Sequence, residues 1–187
     1  MIKIGYQGII GSYSEKAAKK FQKNLNIESE LLGFVTSQRV VDNLNNKSID
    51  YGVLAYENNS AGIVEETKKA LRGIEYKIID KISIPIKHCI FKKEDISINK
   101  IKNIASHIQA IKQTKKIVFS KFGKLNIIET KDTALSAKML SQGLLPNNTI
   151  IICSKEIGLM YNLDIIFENI SDNKNNQTTF ILISLGN

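Results

Sequence analysis

Short apolar segments alternate with amphipathic helical segments along most of the chain. Residues 1–6 alternate and are apolar enough for a strand, a turn containing Gly8 and Gly11 follows, and a helical pattern runs from about residue 15 to 25. Ser12 and Glu15 have the spacing of a capping box, which favours a helix start at this point. The same order then recurs. Predicted strands lie at residues 49–56, at 78–91 in one or two pieces interrupted by Pro85, and at 101–105, 150–153 and 181–184; predicted helices lie at 63–72, 106–117, 133–142 and from Ser154 onward.

Two further apolar segments, 118–119 and 125–129, flank a predicted turn, and residues 165–170 lead back toward the closing strand. Strands that alternate with helices predict an α/β protein with mostly parallel sheets covered by helices. Ligands of such folds bind at the loops that leave the carboxyl ends of the strands. Two prolines in the chain and no Gly/Ser linker argue against two tethered, independent domains.

Composition narrows the classes of partner. The chain has 187 residues, 43% of them hydrophobic, and a formal net charge of +8 that is carried almost entirely by lysine, since Arg39 and Arg72 are the only arginines. There is no Trp and no basic stripe interleaved with aromatics, so we predict no nucleic-acid partner, and a small acidic substrate fits the charge equally well.

The sequence predicts neither a membrane-spanning segment nor export, because we find no apolar run of sufficient length and no leader. We therefore expect a cytoplasmic protein. Cys89 and Cys153 form neither a ligand spacing nor a disulfide framework and are predicted to be free thiols.

Four predicted strand-end loops carry small polar residues immediately before a helix, where unpaired N–H groups and the helix dipole favour an anion. Each loop alone is better explained by ordinary helix caps, but together they predict a cleft lined by N–H and hydroxyl donors. His88 and His107 have no ligand spacing, so neither a metal nor a cofactor is expected, and His88 fits a core histidine better than a catalytic base. The loops are residues 7–14, 57–62, 106–109 and 132–134.

The end of the chain adds a candidate for chemistry. Residues 173–180 read Asn-Lys-Asn-Asn-Gln-Thr-Thr-Phe and precede the apolar strand at 181–184. A hydroxyl at the edge of a rigid strand can be aimed at a ligand, which makes Thr178 a candidate catalytic residue. The alternative is that Thr178 and Thr179 only open the strand, for which threonine is well suited.

Taken in order, these segments resemble the catalytic domain of the prephenate dehydratase and arogenate dehydratase family. The resemblance covers nearly the whole chain, and it is the ordered combination that is specific. The matching motifs are Tyr6-Gln7-Gly8 with Gly11-Ser12-Tyr13-Ser14-Glu15, Glu57-Asn58 with Gly62, His88-Cys89, Ser106-His107 with Gln109-Ala110, Thr133-Ala134, Asn169-Ile170 with Asp172-Asn173 and Asn176, and Thr178-Thr179-Phe180.

The resemblance implies a fold with two lobes of the periplasmic-binding-protein (type II) kind and an active site in the cleft between them. One lobe would span about 1–78 plus 163–187 and the other about 79–162. The resemblance also suggests a homodimer. The phenylalanine-binding regulatory domain that often follows in this family is expected to be absent, since the chain stops at residue 187.

In this family, prephenate loses its ring hydroxyl and a carboxylate together and becomes phenylpyruvate, a step of phenylalanine biosynthesis that needs no metal. By position, Thr178 would supply the hydrogen bond or proton to the departing hydroxide. The residues implied to bind substrate are Gln7, Ser12, Glu57, Asn58, Ser60, Ser106, Gln109, Thr179 and Phe180.

The chain departs from the family pattern at several positions. Thr179 stands where the family has an arginine, Ile108 where it has a proline, and the loop that reads Pro-x-Glu-Asn-Ser in the family has Ala55 and Asn59 at its ends. Besides prephenate dehydratase, three readings stay open: an arogenate dehydratase, a non-catalytic binding module, and a prephenate decarboxylase. The last is disfavoured because those relatives generally lack the threonine.

Overall fold

The computed structural model describes residues 1–186 and divides the chain into two compact units. The first unit comprises Met1–Pro85 and the residues from Gln177 onward, and the second is Ile86–Asn176. Both crossovers lie later in the chain than the predicted boundaries near 78 and 162. The reason is pairing: the strand Tyr76–Pro85 runs beside the last strand along its whole length, and the strand Asp164–Phe167 pairs inside the second sheet.

The first unit is built on a six-stranded mixed sheet. Its strands are β1 (Ile2–Gln7), β2 (Ser29–Phe34), β3 (Tyr51–Asn58), β4 (Gly62–Ile63), β5 (Tyr76–Pro85) and β11 (Gln177–Leu185). The order is β2-β1-β3-β11-β5, and the short β4 pairs with the end of β3. Strands β1 and β2 are parallel, as are β1 and β3, whereas β11 is antiparallel to both β3 and β5.

Helices cover both faces of this sheet. Helix α1 (Tyr13–Leu25) packs against the face that carries Phe180 and Leu182. Helices α2 (Ser37–Asn45) and α3 (Glu65–Ala70) pack against the opposite face, with Ile181 and Ile183. The alternation of side chains along β11 therefore decides which helices each of its residues faces.

The second unit is built on a five-stranded mixed sheet. Its elements are β6 (Cys89–Lys92), a 3-10 turn (Ile98–Lys100), β7 (Asn103–Ser106), α4 (Ile108–Gln113), α5 (Lys115–Phe122), β8 (Asn126–Glu129), α6 (Thr133–Ser141), β9 (Thr149–Cys153), α7 (Lys155–Met160) and β10 (Asp164–Phe167). The strand order is β10-β6-β9-β7-β8. Strand β7 is parallel to β8 and β9, and β6 is antiparallel to β9 and β10.

The α/β class is confirmed, but the sheets are mixed rather than mostly parallel, because β11 and β6 run against their neighbours. Strand β2 and helix α2 lie in a segment for which no element was predicted. Residues 118–119, predicted as an apolar segment beside a turn, lie inside α5. This helix starts where the carboxylate of Asp172 accepts the N–H groups of Lys116 (3.0 Å) and Ile117 (3.1 Å).

Cys89 and Cys153 face each other across β6 and β9, and both are buried free thiols, as predicted. Burial raises the pKa of each thiol. None of the helices in residues 1–186 is both long and apolar enough to cross a lipid bilayer.

Candidate active site

Thr178 lies within β11, opposite Asn58 on β3 and Ile84 on β5. The side chains of Asn58 and Thr178 are 3% and 8% exposed, and Asn58 Nδ2 donates a hydrogen bond to Thr178 Oγ1 at 3.0 Å. Because the threonine oxygen is the acceptor of this bond, its own hydrogen must point to a different group. Thr178 is thus held as a hydrogen-bond donor, in a place with little access to water.

Asn58 organises the backbone around Thr178. Its Nδ2 also donates to the carbonyl of Gln177 at 3.0 Å, and its Oδ1 accepts the N–H groups of Ser60 (2.9 Å) and Ala61 (3.0 Å). An amide has two donors and two lone pairs, so these four bonds occupy it inside the protein. The Ser60 N–H, which belongs to one of the loops predicted to offer N–H donors to an anion, donates to this asparagine. That Ser60 binds substrate stays a prediction.

The predicted site residues of the first unit lie on two faces of the sheet. Thr178 and Phe180 point to the face covered by α1, whose N-terminus carries Ser12. Thr179 lies between them on β11, where the pairing with β5 is regular but the pairing with β3 shifts register between Thr179 and Phe180. Thr179 points to the other face, where its Oγ1 is 3.0 Å from Ser83 Oγ. Glu57 pairs with Thr179 in register and shares that side. Position 179, which has an arginine in the family pattern, therefore faces away from the Thr178 hydroxyl.

Ser12 is the N-cap of α1. Its Oγ accepts the N–H of Glu15 at 3.2 Å, and the Glu15 carboxylate accepts the N–H of Gly11. The predicted pairing of Ser12 with Glu15 is confirmed, although the carboxylate reaches Gly11 rather than the cap residue itself. Lys19 pairs with the same carboxylate at 2.7 Å, which fixes the Glu15 side chain further.

Gln7 ends β1 and is anchored on the α2 and α3 side. Its Nε2 donates to Glu66 Oε2 at 3.0 Å, and Glu66 Oε1 accepts the N–H of Ser37 at 2.9 Å. Since a carboxylate can only accept, the Gln7 amide orientation is determined. Its Oε1 is buried and has no hydrogen-bond partner within residues 1–186. That Gln7 binds substrate stays a prediction.

In the second unit, Ser106 and Gln109 lie at the end of β7 and the start of α4. Ser106 is fully buried, and its hydroxyl donates to the carbonyl of Ile152 at 2.7 Å. The Gln109 N–H donates to His107 Nδ1 at 3.3 Å, and Gln109 Oε1 is buried without a partner in the described part of the chain. Their roles as substrate ligands stay predictions.

His88 belongs to a buried polar network that was not predicted from the sequence. Gln113 Oε1 accepts from Asn176 Nδ2 at 2.8 Å and lies 2.8 Å from His88 Nε2, so this ring nitrogen carries a hydrogen. Burial lowers the pKa of His88 to about 4, which keeps the imidazole neutral at physiological pH. His88 is therefore a buried, neutral side chain, as expected of a core histidine, although its Nδ1 has no hydrogen-bond partner among residues 1–186. Across residues 1–186, no group of three or more His, Cys, Asp or Glu side chains is arranged to hold a metal.

Two α/β units linked by two crossovers define a protein with a periplasmic-binding-protein-like fold. A periplasmic substrate-binding protein of an ABC transporter from Coxiella burnetii superposes with a TM-score of 0.58 at 14% identity, covering 99% of this chain and 84% of that one. Within this class, residues 4–187 match the prephenate dehydratase family model, and the chain belongs to that family.

Curated relatives support this assignment. The bifunctional chorismate mutase/prephenate dehydratase of Buchnera aphidicola subsp. Acyrthosiphon pisum is 34% identical over 96% of this chain and 46% of its own length. The prephenate dehydratase of Methanocaldococcus jannaschii is 33% identical over 92% of this chain and 61% of its own. The chain thus spans roughly half the length of the curated relatives it matches. The structure of prephenate dehydratase with L-Phe from Arthrobacter aurescens superposes with a TM-score of 0.80 at 23% identity, covering all of this chain and 60% of that one.

Proposed function

We propose that this chain is a prephenate dehydratase that converts prephenate to phenylpyruvate in L-phenylalanine biosynthesis, with Thr178 as its catalytic residue. The observation that carries the proposal is the buried Asn58–Thr178 hydrogen bond of 3.0 Å, which leaves the threonine hydrogen to be donated elsewhere. We take the reaction from family membership. The geometry adds a hydrogen-bond donor, the Thr178 hydroxyl, that is suited to the difficult step, the departure of hydroxide.

In that reaction the bond between the ring and its carboxylate breaks, and CO2 leaves. The electron pair enters the ring, the bond to the ring hydroxyl breaks at the opposite carbon, and hydroxide departs and takes up a proton to become water. Negative charge therefore develops on the departing oxygen. A hydrogen bond from Thr178 to this oxygen stabilises the charge in a site that holds little water. The threonine hydroxyl is too weak an acid to be ionised itself, so it acts as a donor while aromatisation drives the reaction.

Replacement of the family arginine by Thr179 is compatible with this mechanism. Residue 179 points to the face of the sheet opposite Thr178 and contacts Ser83. We therefore propose that the substitution changes how the strand is held and removes no cation from the side of the catalytic hydroxyl.

We further propose that Ser12 of the first unit binds substrate, and that Ser106 and Gln109 of the second unit do so too, as the family resemblance implies. The Oε1 of Gln109 is buried and has no donor among the described residues 1–186, which supports a ligand-binding role because a buried acceptor without a donor is costly. We also propose a cytoplasmic homodimer that needs no cofactor, and sedimentation equilibrium would measure its mass.

The proposed function is tested by incubating the purified chain with prephenate and, separately, with arogenate, and by identifying the products by chromatography and mass. Phenylpyruvate from prephenate is the expected result. Phenylalanine formed from arogenate alone would establish the arogenate reading, and a non-aromatic decarboxylated product the decarboxylase. The absence of all three products would favour a binding module. Ser97→Ala removes an exposed hydroxyl at the 3-10 turn of the second unit; it is the matched control for Thr178→Ala and should turn over prephenate like the wild type.

A further inference from the structure

Residue 59 is a departure from the family pattern that makes direct contact with the strand of the catalytic threonine. Asn59 stands where the family motif has serine or threonine, and it follows Asn58 at the end of β3. Its Oδ1 accepts the N–H of Gln177 at 2.9 Å, while its own N–H donates to the carbonyl of Gln177 at 3.0 Å. Asn59 thus binds both backbone polar groups of Gln177, the residue immediately before Thr178.

These contacts fix the peptide group that joins Gln177 to Thr178. Its carbonyl receives two hydrogen bonds, from the N–H of Asn59 and from Nδ2 of Asn58, both at 3.0 Å. On the other side of β11, the register partner of Gln177 is Pro85, which has no N–H to donate. The first residue of β11 is therefore held from the β3 side, and the side chain of Asn59 supplies the bond to its N–H.

We infer that Asn59 is a positioning residue for Thr178, a role that rests on the proposed dehydratase function. In this role Asn59 does not bind the substrate itself. It holds the start of β11 so that the Asn58–Thr178 hydrogen bond and the direction of the threonine hydroxyl are kept constant. Two residues that depart from the family pattern therefore hold β11 on either side of Thr178. Asn59 contacts Gln177 before it, and Thr179 contacts Ser83 after it.

The test compares Asn59→Ala with Asn59→Asp. The alanine variant removes the acceptor of the Gln177 N–H, and the aspartate variant keeps one. With prephenate, Asn59→Ala is expected to lower kcat about tenfold with KM changed less than about twofold, because a misplaced catalytic group costs rate more than binding. Asn59→Asp is expected to keep kcat near the wild-type value, with KM allowed to rise because a negative charge is added near an anionic substrate. Asn147→Ala, which removes an exposed amide that accepts from Lys93, is the matched control and should leave kcat unchanged.

Hydrogen exchange of the Gln177 amide is measured on the same proteins and does not depend on turnover. Faster exchange in Asn59→Ala, restored in Asn59→Asp, is expected. Unchanged exchange, a kcat within twofold of wild type in Asn59→Ala, or a kcat that Asn59→Asp fails to restore would each overturn the inference. A wild-type chain without turnover would instead refute the proposed function, and the exchange rates alone would then decide whether Asn59 holds the strand start.

Discussion

At the scale of single residues, the site depends on the direction of one hydrogen bond. The donor is Asn58 Nδ2 and the acceptor is Thr178 Oγ1, and the two residues are 120 positions apart in the sequence. The sequence indicated both residues through motifs, but it could not indicate their pairing, because the register of β3 against β11 is a tertiary property. It likewise gave no sign that Thr179 contacts Ser83 on the opposite face.

Substituting Asn58→Asp reverses this bond. The new carboxylate still accepts the N–H groups of Ser60 and Ala61, but it also accepts the hydrogen of Thr178, which is then no longer available to the leaving group. We expect kcat to fall about 100-fold or more, and the midpoint of thermal unfolding to fall by only about 5 °C. Steady-state kinetics and circular dichroism melts measure the two effects. Retention of wild-type kcat would show that the direction of the bond is irrelevant.

At the scale of elements, the sequence predicted best where apolar runs are continuous and buried. Strand β9 (Thr149–Cys153) is fully buried and was predicted almost at its observed length. Strand β2 is only half-buried and interrupted by Gly33, so its pattern was too weak to predict. Residues 118–119 were predicted as an apolar segment beside a turn, yet they lie inside α5, which the distant carboxylate of Asp172 caps. Strand β11 begins at Gln177, earlier than predicted, because the end of β3 pairs with it.

Helix α7 gives a prediction at this scale. A Cβ atom at Gly158 would overlap the ring of Phe91, which is fully buried on β6. Gly158→Ala should therefore lower the free energy of unfolding by about 2 kcal/mol, even though alanine is the better helix former. Urea unfolding followed by circular dichroism measures the change. Adding Phe91→Leu should make the double variant more stable than the sum of the single losses predicts, whereas simple additivity would contradict the steric explanation.

At the scale of the whole molecule, two sheets share one chain that crosses between the units at Pro85/Ile86 and Asn176/Gln177. The alternation of strands and helices was sufficient to predict the α/β class. The resemblance added the two-lobed fold, and only the strand pairing located the crossovers. Beside both crossovers, inside the second unit, lies the buried network of His88, Gln113 and Asn176.

That network predicts how stability depends on pH. Burial lowers the pKa of His88 from 6.5 to about 4, so between these values the unfolded chain binds a proton that the folded chain does not. The stability contribution is complete above pH 6.5 and is lost as the pH falls toward 4. Between pH 7.5 and 5.0 this group should lower the free energy of unfolding by about 2 kcal/mol. His88→Asn, which has no titrating group there, should show a decrease smaller by that amount in urea unfolding, and equal decreases in both proteins would refute the assignment.

The central claim is that the Thr178 hydroxyl is the catalytic donor, and the most direct measurement is kcat for prephenate in Thr178→Ala beside Thr178→Ser. The serine variant keeps a hydroxyl in reach of Asn58, while the alanine variant removes it. We expect kcat to fall about 1,000-fold in Thr178→Ala and to stay within about tenfold of wild type in Thr178→Ser. A Thr178→Ala enzyme that keeps its kcat within about threefold would contradict the account and move the chemistry to another residue.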